Sequence, residues 1–158
     1  MTLNERAQKA RDELFVRYDK LNALWLKAEE QLTHLHIPRP AECIYRDYEP
    51  DYREPEFRIA ECLGLQKIKG KWRICYGEYA LLSEPGPSDW TPITDCSAEI
   101  REEAAKHFPK LHKAVVESAE KFIPKVDSAI QHLAEALGDS ANLNDLLAER
   151  AKLNGQAQ

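Results

Sequence analysis

The chain has 158 residues, of which 43% are hydrophobic and 31% charged, and its 22 basic and 27 acidic side chains give a formal net charge of −5. A chain of this size buries roughly 70% of its unfolded surface without disulfide or metal staples, and this composition is too apolar for a disordered protein. The weak negative charge disfavours nucleic acid and anionic lipid except through a local basic patch, and no apolar run approaches the roughly 18 residues of a membrane span.

The chain opens on Met1-Thr2-Leu3-Asn4-Glu5-Arg6 and runs straight into charged helical sequence, so no signal peptide is expected. From Leu3 to Leu35, Ala7, Leu14, Leu21, Ala28 and Leu35 recur every seven residues, and Tyr18, Trp25 and Leu32 each follow one of them by four. This spacing predicts a long helix with a coiled-coil-like stripe. Phe15, Val16, Leu24 and Leu26 lie beside or off that stripe, so the helix has more apolar surface than a two-stranded zipper needs. Pro38 and Pro40 cannot continue the helical ladder, which puts its end near His36.

A short strand is predicted at Cys43-Ile44-Tyr45-Arg46, followed by two proline-punctuated turns at Asp47–Pro50 and Asp51–Pro55. The clearest local signal is a hairpin. Phe57, Ile59, Leu63 and Leu65 alternate along one strand, Trp72, Ile74 and Tyr76 along the next, and Lys69-Gly70 forms the turn. Counting outward from the turn pairs Ile68 with Lys71, Lys67 with Trp72, Leu65 with Ile74 and Leu63 with Tyr76, which puts the large apolar residues on one face. The other face carries Ala60, Cys62, Gly64, Cys75 and Gly77, small residues that suit a close covering layer.

Ser83 to Pro92 is rich in turn formers and holds Trp90. Asp95 or Ser97 then caps a second long helix whose stripe runs from Ile100 through Phe108, Leu111 and Val115 to Leu137, with interruptions at Pro109 and Pro124 that predict two kinks or one kink and one break. Gly138 ends it, and Asn142 to Leu153 reads as a short amphipathic helix. The expected fold class is therefore α+β: two long amphipathic helices, N-terminal and C-terminal, packed on a small antiparallel sheet of about three strands inserted between them. Residues 1–138 form one domain in this reading, and 139–158 a short helix and tail.

The chemistry-bearing residues point away from catalysis. Cys43, Cys62, Cys75 and Cys96 contain no CxxC pair, and neither His34 with His36 nor His107 with His112 has the i, i+4 spacing of helical metal ligands, so no metal and no cofactor is expected. The thiols read as reduced, as in a cytoplasmic protein. Asp47, Glu49, Asp51, Glu54 and Glu56 crowd five carboxylates into ten residues, and Asp47-x-Glu49-x-Asp51 begins like a calcium loop, but Tyr52 stands where glycine must turn and Arg58 where the bidentate glutamate belongs. They read as a solvated acidic loop. No nucleophile elbow, P-loop, dinucleotide fingerprint or zinc-protease motif occurs, so the chain leans away from being an enzyme.

Lys67, Lys69, Lys71 and Arg73 surround Trp72 at the hairpin tip, where basic groups beside an aromatic suit a phosphate backbone and a stacked base. The competing reading turns Trp72 into the core and leaves the lysines to solvate the turn. Three functions result, in order of preference. The first is a protein-interaction module, expected to form a homodimer through the N-terminal helix or to bind a protein partner, with Phe15, Leu24, Trp25 and Trp90 as contact residues and the acidic and basic runs giving orientation. The second is nucleic-acid or phosphate-ligand binding at the basic tip. The third is a small-molecule pocket or enzyme under the sheet. No membrane partner is expected.

Overall fold

The computed structural model describes residues 1–49, 58–138 and 143–156. Helix α1 spans Leu3–Thr33, and four strands follow: β1 (Ala41–Tyr48), β2 (Ile59–Ile68), β3 (Lys71–Ala80) and the two-residue β4 (Thr91–Pro92). A 3-10 turn at Ile93–Asp95 leads into α2 (Ala98–Ala105), α3 (Phe108–Leu137) and α4 (Leu143–Gln156). The class is α+β, with one strand more than the sequence led us to expect. Strand β4 is that addition, and so short a strand, ending in proline, has no alternation to read.

α1 starts with a capping box, in which the Thr2 hydroxyl accepts from the Glu5 amide while the Glu5 carboxylate accepts from the Thr2 amide. It ends at Thr33, three residues before the expected end, and His36 takes a left-handed φ of 50° that turns the chain toward β1. The sheet is antiparallel in the order β1-β2-β3-β4. The β2–β3 register is the one counted from the turn, with Ile68 opposite Lys71, Leu65 opposite Ile74 and Leu63 opposite Tyr76. Lys69 and Gly70 both have positive φ, 48° and 83°, the signature of the tight turn that matches strand twist. Between Ile44 and Arg46 the β1–β2 register shifts, and Tyr45 is the extra residue.

Ser97 caps α2 through a hydrogen bond from the Ile100 amide. Of the two prolines, Pro109 sits in the first turn of α3 after a break at Lys106-His107, because the first turn has spare N–H groups and tolerates proline. Pro124 lies inside α3, which continues through it. The chain divides into two units, Met1–Ser118 and Ala119–Gln158, so α3 contributes to both. In the first unit the core gathers Trp25 and Leu32 from α1, Ala41 and Tyr45 from β1, Leu63 and Leu65 from β2, Ile74 from β3, then Ile93, Ala104, Leu111 and Val115. Phe57 lies outside the described residues. The second unit contains the rest of α3, where Ile123, Val126, Ile130 and Leu133 are exposed, and α4, where Leu146, Leu147 and Leu153 are exposed. No helix among the described residues is long and apolar enough to cross a membrane.

Candidate functional site

The stripe on α1 divides at Tyr18. Below it, Trp25 and Leu32 are buried, Leu21 and Ala28 pack against the same core, and the Trp25 indole donates to the Arg101 carbonyl at 3.3 Å. Arg101 in turn donates to Asn22 at 2.7 Å and lies 5.7 Å from the Tyr18 ring centroid, which fastens α2 to α1. Trp25 therefore belongs to the interior of the chain. Above Tyr18 the arrangement reverses: every residue from Leu3 to Arg17 is exposed. Leu3, Ala7, Ala10 and Leu14 prolong the core-facing stripe at three- and four-residue spacing, yet Leu14 remains 49% exposed. Phe15 and Leu24, singled out from sequence, are 61% and 64% exposed, with Val16 and Leu26 also open to solvent.

Beside the buried half of α1 runs an apolar groove of about 260 Å³, lined by Leu21, Leu24, Trp25 and Ala28 on one wall and by Ala105 and Phe108 on the other. Phe108 meets Trp25 edge to face, with centroids 6.4 Å apart, so the second wall is held rigidly. A second hollow lined by Leu24, Lys27, Ala28, Glu30, Gln31 and His34 continues the groove toward the end of α1.

The hairpin tip keeps only part of its predicted cluster. Lys67, Lys69 and Lys71 are exposed, whereas Trp72 is half-buried against the core. Arg73 turns back to Glu29 of α1, with Nε 2.9 Å from Oε1, while its guanidinium also donates to Thr94 at 3.3 Å. The other Glu29 oxygen accepts from the Ile74 amide at 2.8 Å, so one carboxylate bolts α1 to β3. A stacking aromatic and one cation are thus engaged inside the chain. In the acidic run Asp47 pairs with Arg58 at 2.9 Å and Glu49 is exposed. Asp51, Glu54 and Glu56 lie outside the described residues.

Trp90 lies on the sheet's second face. A Cβ at Gly64 would come within 2.8 Å of its ring, and one at Gly77 within 2.7 Å of Pro87 and 3.0 Å of Trp90. The small residues of that face thus give the loop before β4 room to lie flat, and Trp90, half-buried there, anchors it. Cys62 and Cys75 are buried in the same layer, and loss of solvent pushes both thiols up to about 12. Cys96 is pushed up to about 11, again by burial first and Asp95 second, and burial raises Cys43 as well. At neutral pH all four stay protonated and poorly nucleophilic. Among the described residues no group of three or more His, Cys, Asp and Glu converges as a metal site requires.

One buried charge escaped the sequence reading. Glu61 is 6% exposed on the core face of β2, where it forms an ion pair with Arg46 and accepts from the Tyr76 hydroxyl at 3.0 Å. The signal was present, since position 61 falls in the apolar phase of the alternation Ile59, Leu63, Leu65. Arg46 reaches it because the bulge at Tyr45 shifts the strand register by one. Tyr45 stacks on His107 with centroids 5.0 Å apart. Burial first and the Glu61 charge second hold both the Tyr45 and Tyr76 phenols well above the usual range, so both stay protonated, and Tyr76 donates to Glu61 and to Glu78. The cluster ties β1, β2 and β3 together at one end of the sheet. Comparisons with protein-family models, with curated proteins and with solved structures yield no match to this chain, so the site must be read from its own geometry.

Proposed function

We propose that this chain is a protein-interaction module that self-associates through the first half of α1. The observation that carries the reading is the continuity of one apolar stripe across two environments. From Tyr18 to Leu32 it packs on the chain's own core, and from Leu3 to Leu14 it has no packing partner among the described residues. Leu3–Arg17 continues a helix already nucleated and packed beyond Tyr18, but it buries no apolar surface of its own. The capping box and the exposed Glu13–Arg17 pair supply only about 1 kcal/mol and a few tenths of one respectively. A second apolar surface laid along the stripe provides what these cannot.

Light scattering and sedimentation of the wild type against Leu14→Lys and Phe15→Lys test the reading. The expected result is a wild-type dimer, with both variants monomeric and retaining the wild-type circular dichroism spectrum. A wild type that stays monomeric at the highest attainable concentration ends the proposal, and variants that unfold would show these residues to be internal packing instead. The basic tip supports nucleic-acid binding less well, since Trp72 and Arg73 are already engaged inside the chain.

A further inference from the structure

Five asparagines occur in the chain, Asn4, Asn22, Asn142, Asn144 and Asn154, and only Asn154 is followed by glycine. Asn154 and Gly155 are both exposed in the last turn of α4, and a Cβ built on Gly155 would meet nothing within 4 Å. We infer that Asn154 is a site of spontaneous covalent modification, at which attack by the Gly155 backbone nitrogen expels the side-chain amide and leaves aspartate or isoaspartate.

The reaction needs only the chain and water. The Gly155 amide nitrogen gives up its proton to solvent base and forms a bond to Asn154 Cγ, while the Cγ–Nδ2 bond breaks and Nδ2 leaves as ammonia. The cyclic imide takes up one water at either carbonyl. Opening gives aspartate or, with the main chain rerouted through Cγ, isoaspartate. One amide and one water thus become one carboxyl and one ammonia, and nothing is oxidised or reduced. The demanding event is the approach of a backbone nitrogen to Cγ of the residue before it. A Cβ on the attacking residue hinders that approach, whereas glycine has none and the widest choice of backbone angles. Glu5, Ala23, Leu143 and Asp145, which follow the other four asparagines, each carry a Cβ.

The fold decides whether the approach is open. In a closed helix the Gly155 N–H is held on the carbonyl of Ala151, four residues back, and Cγ of Asn154 lies out of its reach. Three features favour opening of this turn. Asparagine and glycine are both weak helix formers, glycine the weaker. Every residue from Asn144 to Gln156 is exposed, so opening uncovers no packed surface. No basic residue stands in the last turn to complement the negative end of the helix dipole. Asn22 is the contrast, held within α1 and accepting from Arg101 at 2.7 Å. Both products at position 154 oppose closing the turn again, because the new carboxylate sits at that same negative end and isoaspartate lengthens the main chain.

Peptide mapping by mass spectrometry of the full chain, aged in mildly alkaline buffer, tests the inference, with the guanidinium-denatured chain as reference. The ends of helices open at free energies near zero, so the folded chain should convert Asn154 at a rate within about tenfold of the denatured chain. The other four asparagines should lag well behind in both. Gly155→Ala meets no neighbour and so keeps the fold, and it should suppress conversion in both states. Conversion slowed by more than about tenfold on folding would mean that the closed turn protects Asn154, and would overturn the inference. Equal conversion at Asn22 or Asn144 would overturn it too, by removing the selectivity. Undiminished conversion in Gly155→Ala would remove the part assigned to glycine, with the same consequence.

Discussion

Leu14 and Trp25 stand on one stripe of α1, three turns apart, yet Leu14 is 49% exposed and Trp25 is 3% exposed. Around Trp25 the helix is clamped by the Arg101 carbonyl, by Phe108 and, one turn on, by Glu29 gripping Arg73 and the Ile74 amide. Around Leu14 the only side-chain hydrogen bonds among the described residues are local ones between Arg11 and Asp12 and from Arg17 to Glu13. Periodicity states which face of a helix is apolar, and it says nothing about what covers that face. The part of the stripe that the chain covers for itself builds the fold, and the part it leaves open is what a partner can use.

The largest expected effect tests that division directly. Trp25→Ala empties a buried site and breaks the indole hydrogen bond, so it should cost about 3–5 kcal/mol in denaturant unfolding. Leu14→Ala on the same stripe should cost within about 0.5 kcal/mol when measured at a concentration low enough to dissociate any dimer. Equal costs for the two would mean that the halves of α1 do not differ in the way described.

A second comparison sets the two faces of the sheet side by side. The core face is filled by branched and aromatic residues, and the other by small residues under Trp90 and Pro87. Gly64→Ala should therefore cost about 1–3 kcal/mol through overpacking against the Trp90 ring, accompanied by a shift in tryptophan emission. An unchanged melting temperature would show that the loop can lift away at no cost.

Smaller, and dependent on pH, is the contribution of the thiols in that layer. Cys62 and Cys75 rise from the ordinary 9.0 to about 12 in the folded chain because burial penalises the thiolate. Between those values the folded state holds protons that the unfolded chain has released, so stability falls as pH rises. Their contribution is fully present below about pH 9 and lost as pH approaches 12, and Tyr45 and Tyr76 act in the same direction. Melting temperature followed by circular dichroism under reducing conditions should be flat from pH 7 to 9 and decline above it. A profile flat to pH 11 would mean that water reaches these groups.

The smallest effect is expected at the hairpin tip. Reversing Lys67, Lys69 and Lys71 to Glu should move the melting temperature little, because exposed charges contribute within about 0.5 kcal/mol. Any weakening of association should fade with added salt. Oligonucleotide binding by the wild type at physiological salt that this reversal abolishes would revive the nucleic-acid reading instead.

Much of the fold was legible because it is set by neighbours in sequence. The β2–β3 register follows from a two-residue turn and an alternation of period two, and the stripe on α1 from a period near 3.6, both properties of a few consecutive residues. The small residues at 60, 62, 64, 75 and 77 likewise announced a covered second face, without saying that Trp90 and Pro87 would cover it. What only the tertiary structure decided depends on groups far apart in the chain. Arg73 reads as part of a basic tip until Glu29, 44 residues earlier, takes it up, and Glu61 reads as a misplaced charge until a bulge brings Arg46 to it. Where the stripe of α1 passes from covered to open is decided by where α2 and β3 dock. Local periodicity carries orientation because side-chain direction repeats with the backbone, whereas burial and pairing are set by whatever element the fold brings alongside.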